Sequence, residues 1–380
     1  LTMAGIYLHI PFCVRKCAYC DFVSFPQGSV PESYVDALLT EIELVSRGGE
    51  YPAAFDTVFF GGGTPSLLSG DQMRRMMKAL SERFNIRAQA ECSMEANPGT
   101  TTPEKLAAYR DAGINRLSIG LQSTHDALLD EIGRIHTFQQ FLDTLNSAKA
   151  AGFDNINVDL MHALPHQTIS QYLDSIRTVC GLNVQHISAY SLILEEHTPL
   201  YFRVQSGEVS MPDEDLAADM QDAGIDALES YGYHRYEISN FAQSGFECRH
   251  NLNYWQNGEY LGFGVAAHAA VRQTHWTRFA NVDSQEEYER MIARGKRPLA
   301  ETIYLAPRDE MFECVMLGLR LVRGLDRAAF RARFGLDAVE AYPDAMDRLR
   351  ERGWVTENEG FIALNCKGLD LQNEALGFFM

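Results

Sequence analysis

The chain has 380 residues, of which 46% are apolar and 11% aromatic, and a formal net charge of −18. That is enough apolar material for one large domain and a smaller one, and it excludes a disordered chain. The acidic balance excludes general nucleic-acid binding and polybasic attachment to anionic lipid, and no run approaches the ~18 apolar residues of a membrane span.

The first 200 residues alternate short apolar runs with helical patterns. Strands are expected at 5–12, 56–63, 90–98, 116–123, 155–164 and 186–194, each nearly continuously apolar, as parallel strands covered on both faces are. Between the first two, Val35, Leu38, Leu39, Ile42 and Val45 recur at helical spacing, with Ser29 and Glu32 three apart as a capping box. Similar helices are expected after Ser69, Thr102, Thr137 and Thr168. Repeated strand–helix–strand units imply right-handed crossovers and an α/β fold, here an incomplete (β/α)6 TIM-like barrel. A helix begun by PDEDLAADM and a seventh extended run at 233–242 follow. From about residue 300 the pattern becomes helical: 308–325, 328–336 and 338–355. A hairpin around Asn358-Glu359-Gly360 and a last helix complete a winged-helix-like α+β tail. The expected division is a barrel over 1–245, a connecting segment over 246–300 and the tail domain over 301–380.

LTMAGIYLHIPFC at the N-terminus lacks a basic leader and a cleavage site, so the expected compartment is the reducing cytoplasm. Of the eight cysteines, five are scattered among apolar neighbours and read as inert core thiols. The other three, Cys13, Cys17 and Cys20, stand as C-x3-C-x2-C in the loop after the first strand. In a reducing compartment that spacing points to metal. A structural zinc site wants four closed ligands, and no second knuckle lies nearby. Three thiolates instead suit a [4Fe–4S] cluster with one iron left open for a ligand.

Carboxylates, amides and glycines recur at the strand ends that follow. Gly62, Gly63 and Thr64 in FFGGGTPS let backbone approach a ligand, or form only a tight turn. Glu95 in MEANP either faces the site or caps a helix ahead of Pro98. Gln122 in IGLQS and Asp159 in NVDL sit in apolar strands, where a buried acid demands partners. Arg134 in GRIH suits carboxylate recognition, or is a surface arginine. Tyr7 on the first strand is a further candidate for the same cavity.

Cys13, Cys17, Tyr19 and Cys20 resemble the C-x3-C-x-aromatic-C hallmark of the radical S-adenosylmethionine (SAM) superfamily. The resemblance implies that the open iron binds the amino and carboxylate groups of SAM, and that reduction releases a 5′-deoxyadenosyl radical. It implies a SAM shell of Tyr7, Gly62, Gly63, Thr64, Glu95, Gln122, Arg134 and Asp159. GINRLSIGLQS, GRIH, NVDLMHALPHQT and SAYSLILEEHTPL extend the likeness to the oxygen-independent coproporphyrinogen III oxidases and their relatives. True oxidases carry a fourth cysteine two residues after the third, where this chain has Phe22, and a longer N-terminal arm. HNLNYW at 250–255 resembles instead the signature of the haem chaperones of this family. That likeness implies haem as cargo with His250 as its ligand, Cys248 and His268 being competing donors. It further implies a haem-accepting protein such as a respiratory enzyme and an electron-donor protein, and the acidic surface permits a transient encounter with a membrane-bound recipient. The enzyme alternative is SAM-dependent oxidative decarboxylation of coproporphyrinogen III.

Overall fold

A computed structural model gives the structure of residues 3–49 and 51–380. Six strands come where the apolar runs lie: Ala4–Ile10 (β1), Phe55–Gly62 (β2), Ile86–Ala96 (β3), Arg116–Gln122 (β4), Ile156–His162 (β5) and His186–Ser191 (β6). They pair in chain order, all parallel. Every residue of β4 is buried, which is why its sequence carries no polar alternation.

Helices cover the outer face: Glu32–Gly48 (α1), Gly70–Arg83 (α2), Pro103–Asp111 (α3), Phe138–Ala150 (α4) and Ile169–Cys180 (α5). Ser69, Thr137 and Thr168 each close a capping box with the glutamine three residues on, and Thr102 accepts from the Lys105 N–H. Each cap satisfies amide groups that the first turn leaves without a helical partner. The box expected of Ser29 and Glu32 does not form. Pro31, with φ −63°, sets the helix start one residue before Glu32, whose carboxylate reaches across to Gln72 and Arg75 on α2.

The sheet extends past both ends of the parallel set. Beyond β6 the run 233–242 splits into His234–Arg235 and Asn240–Ala242, the latter antiparallel to β6. On the other side of β1, Glu259–Phe263 (β7) adds a further parallel strand, followed by antiparallel His268–Arg272 (β8), Trp276–Asn281 (β9) and Leu299–Tyr304 (β10). The barrel is therefore open, with an antiparallel flap on the β1 edge, and the 246–300 segment contributes Leu261, Phe263, Val265 and Val271 to the main core.

Residues 307–380 have a core of their own, with Val315, Leu319, Phe330, Leu349, Trp354 and Ile362 among its members. The hairpin Val355–Glu357/Phe361–Leu364 turns at Asn358, whose side-chain oxygen accepts from the Gly360 and Phe361 N–H groups. Two expected helices are shorter than their patterns. Pro307–Gly318 stops where Gly318 packs on Leu325, and Pro343 divides the 338–355 run after Ala341.

Candidate functional site

The loop after β1 is folded by its own backbone and anchored to its neighbours. The Cys13 carbonyl accepts from the Gln27 and Gly28 N–H groups, and the Cys20 N–H donates to the Cys17 carbonyl. Ala18 donates to the Ile132 carbonyl and accepts from Leu200, while Arg15 donates to the Gly133 carbonyl. Cys13 is buried; Cys17 and Cys20 are half-buried. All three line one cavity of about 170 Å³ at the C-terminal ends of the strands, where barrel folds build their sites. Gly62, Gly63, Thr64, Glu95, Gln122, Arg134 and Asp159 line it too. Among the described residues no three His, Cys, Asp or Glu side chains gather as they would round a single ion. Thiolates on the corners of a cubane each hold a separate iron and stand further apart.

The lining fits a cationic, carboxylate-bearing ligand beside a cluster. Gly62 has φ +115°, and a Cβ on Gly63 would lie 2.7 Å from the Phe12 carbonyl oxygen and 3.0 Å from Cys13 Sγ. Only glycine brings backbone this close to the thiolate loop. Thr64 Oγ1 lies 3.5 Å from Cys13 Sγ as donor and accepts from Asn97 at 2.8 Å. Glu95 accepts from the Gly62 N–H at 3.1 Å. Burial, then the nearby Asp159, push its carboxyl up to about 8. Asp159 is also raised by burial, against hydrogen bonds from Ser188 and Asn157 and the charge of Arg134. Burial works against the Arg134 charge, but Tyr19, Cys17, Asp159 and Cys20 outweigh it and hold the guanidinium protonated. Arg134 Nη1 donates to Asn97 at 3.0 Å, while its buried Nε has no partner among the described residues. Two acids resisting ionisation and an arginine with an unused donor are complementary to an ammonium or sulfonium and a carboxylate.

Gln122 has φ +72° at a register shift between β4 and β5. This bulge turns its side chain into the cavity, where the amide bridges Arg134 and the Asp159 carbonyl when its oxygen faces the guanidinium. Asn97 was not anticipated, although it lies between two marked positions, Glu95 and Pro98. Gly120 was also missed: a Cβ there would fall 2.9 Å from Arg134 Nη2, so this glycine makes room for the guanidinium.

Two expected residues lie elsewhere. Tyr7 lines an adjoining cavity of about 380 Å³ with His9, Asp21, Phe22, Val23, Tyr254, Tyr260, Ala266 and His268. His250 lines neither cavity. Its Nδ1 is 2.7 Å from Thr57 Oγ1 and its Nε2 2.9 Å from the Tyr254 hydroxyl, and its ring stacks on Phe59. Burial and the Arg116 charge push it down to about 3. With both nitrogens engaged, His250 in this arrangement offers no lone pair to an iron. Cys248 is fully buried, its thiol pushed up to about 12 by burial and hydrogen-bonded to Glu91.

The family description "Radical SAM superfamily" matches residues 7–179, and "HemN C-terminal domain" matches residues 305–371. Over 381 residues the chain is 36% identical to "Heme chaperone HemW" of Bacillus subtilis (strain 168), covering 100% of this chain and 99% of that one. It is 35% identical over 392 residues to the protein of the same name in Escherichia coli (strain K12), covering 100% and 99%. This chain belongs to the HemW family of radical SAM proteins. Among solved structures, the radical SAM enzyme coproporphyrinogen III oxidase (HemN) of Escherichia coli superposes with a TM-score of 0.85 at 25% identity, covering 100% of this chain and 90% of that one. No described helix of this family member is long and apolar enough to cross a membrane.

Proposed function

We propose that this protein is a radical-SAM-type haem chaperone that binds haem and passes it to acceptor haemoproteins such as respiratory enzymes. Cys13, Cys17 and Cys20 hold a [4Fe–4S] cluster. Glu95 and the Gly62–Gly63 backbone would hold the SAM amino group and Arg134 its carboxylate, with Asp159 and Gln122 completing the shell. The observation that carries the reading is the end-to-end likeness to proteins named as haem chaperones, in a chain whose cavity gathers the thiolates with all but one of the expected shell residues.

The chain's own residues bind and orient. Thr64 fixes Cys13 and is itself fixed by Asn97, so ligand and thiolate share one rigid frame. Glu95 gives up its proton as a cation arrives and then pairs with it. β4, every residue of which is buried, forms part of the cavity wall through Ser118, Gly120 and Gln122. When bound, the cluster supplies the electron for reductive cleavage of the SAM carbon–sulfur bond. In a chaperone the same residues would serve to bias the barrel mouth between two arrangements rather than to turn over a substrate.

The likeness to coproporphyrinogen III oxidase favours a second reading, oxidative decarboxylation of that porphyrinogen. Phe22, 69% exposed where the oxidases carry a fourth cysteine, weighs against it. The test is anaerobic reconstitution with iron and sulfide, then incubation with SAM, reductant and coproporphyrinogen III. We expect haem uptake and no protoporphyrinogen. Protoporphyrinogen at substantial turnover would replace the chaperone reading with the enzymatic one.

A further inference from the structure

We propose that haem sits in the cavity between β1 and the β7–β8 turn, with His268 as its axial ligand, and that the helix Arg249–Trp255, which carries HNLNYW, shapes this seat rather than ligating iron. The inference rests on the haem-binding reading above and adds to it a place and a donor.

The cavity, about 380 Å³, falls within the size range of small-molecule sites, and its walls suit a flat macrocycle. Tyr7, Phe22, Tyr254 and Tyr260 supply aromatic faces, and Val23 and Ala266 fill the gaps between them. Phe22 also lines the cluster cavity, so the two sites share a wall. Asp21, Phe22 and His268 are exposed, which leaves the seat open along one edge. Among the described residues no arginine or lysine lines it, so the haem propionates would be left to water. Such a seat holds cargo by its apolar face and leaves an edge for the acceptor.

Two imidazoles line this cavity, and His250 stands just behind it. His9 Nδ1 is 3.0 Å from the Tyr7 hydroxyl and its Nε2 3.0 Å from the Val23 carbonyl. His250 is engaged at both nitrogens, as described above. His268 opens β8, and among the described residues its ring makes no hydrogen bond or ion pair. An imidazole with a free nitrogen at the rim of an aromatic cavity is the donor that ferric or ferrous haem takes most readily. The turn that carries it is tightly built. Gly264 and Ala266 have φ +100° and +56°, and a Cβ on Gly262 would lie 1.9 Å from the His268 carbonyl oxygen. His250 has a different task. Through its Nε2 it holds the Tyr254 hydroxyl, and Tyr254 meets Tyr260 edge-on at 4.7 Å, so the signature histidine positions an aromatic wall.

The experiment is a haem titration of the cluster-loaded protein followed in the Soret band. Wild type gives a shifted Soret maximum. His268→Ala weakens binding roughly tenfold or more and moves the maximum, and added imidazole restores it. His268→Cys converts the spectrum to a thiolate-ligated type, a change that misfolding would not produce. Tyr254→Phe keeps the imidazole-type spectrum. Unchanged affinity and an unchanged Soret position in His268→Ala, with wild type binding normally, would overturn the seat and leave the chaperone reading intact. Wild type that binds no haem would overturn both.

Discussion

Two glutamates, one buried on the outside of the barrel and one half-buried at its mouth, teach opposite lessons. Glu41, on the buried face of α1, accepts from Asn281 at 2.7 Å, the Gly264 N–H at 2.8 Å and Tyr288 at 2.6 Å. Those bonds tie the first helix to the segment after β7 and to the Gln285–Ala293 helix. Glu95 is half-buried at the cavity wall, and among the described residues it accepts only from the Gly62 N–H. Burial raises both acids, Glu41 to about 7 and Glu95 to about 8, but the chain answers the first with three donors and the second with one. A buried acid surrounded by donors is a fastener. One left with spare acceptor capacity beside a cavity is waiting for a ligand.

The largest effect should come from the fastener. Glu41→Ala strands the Tyr288 hydroxyl and the Gly264 N–H in a dry place, each costing about 1–3 kcal/mol, and leaves the Asn281 amide only its bond to the Gly264 carbonyl. We expect a loss on the order of 3 kcal/mol or more in urea denaturation, with partial recovery in Glu41→Gln, which keeps one acceptor oxygen. A change within 0.5 kcal/mol, about that of a surface substitution, would erase the contrast between the two acids.

Glu95→Gln should behave in the opposite sense. Its folded-state carboxyl is raised to about 8, so the folded protein holds a proton that the unfolded chain releases near its ordinary value of 4.5. The stabilising contribution is fully present below about 4.5 and is lost as pH rises through about 8. Ligand-free Glu95→Gln should therefore show a flatter dependence of Tm on pH across that window. At pH 8 it should be more stable than wild type by on the order of a few kcal/mol, since each pKa unit is about 1.4 kcal/mol. The same variant should bind SAM at least about tenfold more weakly. Lower stability at pH 8 would show that Glu95 is a second fastener.

This contrast also marks what the sequence made legible. The three cysteines, the glycine turn, Glu95, Gln122, Arg134 and Asp159 were readable because chemistry-bearing residues interrupt apolar strands at their ends, where a barrel gathers them into one cavity. Glu41 was hidden because it occupies a helix whose apolar stripe reads as core and whose charges read as solvent-facing. The strands from β7 to β10 were hidden for a related reason. EYLGF is short and holds a glycine, and five of the six residues of Leu299–Tyr304 are exposed, so neither shows a buried run. His250 stood in a signature, but a motif gives residue types without saying whether the ring nitrogens are already spent. Only the placement of Thr57 and Tyr254 on either side of the ring decides that.

The smallest expected effect tests whether the mouth is a frame or merely a lining. Asn97 donates to Thr64, accepts from Arg134 and, through its backbone, donates to Ser66 Oγ at 3.1 Å. Asn97→Ala removes the two side-chain bonds and leaves the backbone bond, the thiolates and the glycine turn in place. Stability should fall by about 1 kcal/mol. Arg134, released from one of its anchors, should recognise a carboxylate less well, weakening SAM binding by roughly three- to tenfold in equilibrium dialysis. Iron and sulfide content should stay at the wild-type level, because the cysteine loop is held by Ile132, Gly133 and Leu200 rather than by Asn97. Cluster loss in this variant would mean that the Asn97–Thr64–Cys13 chain supports the thiolates themselves. The mouth would then be a fastener like Glu41.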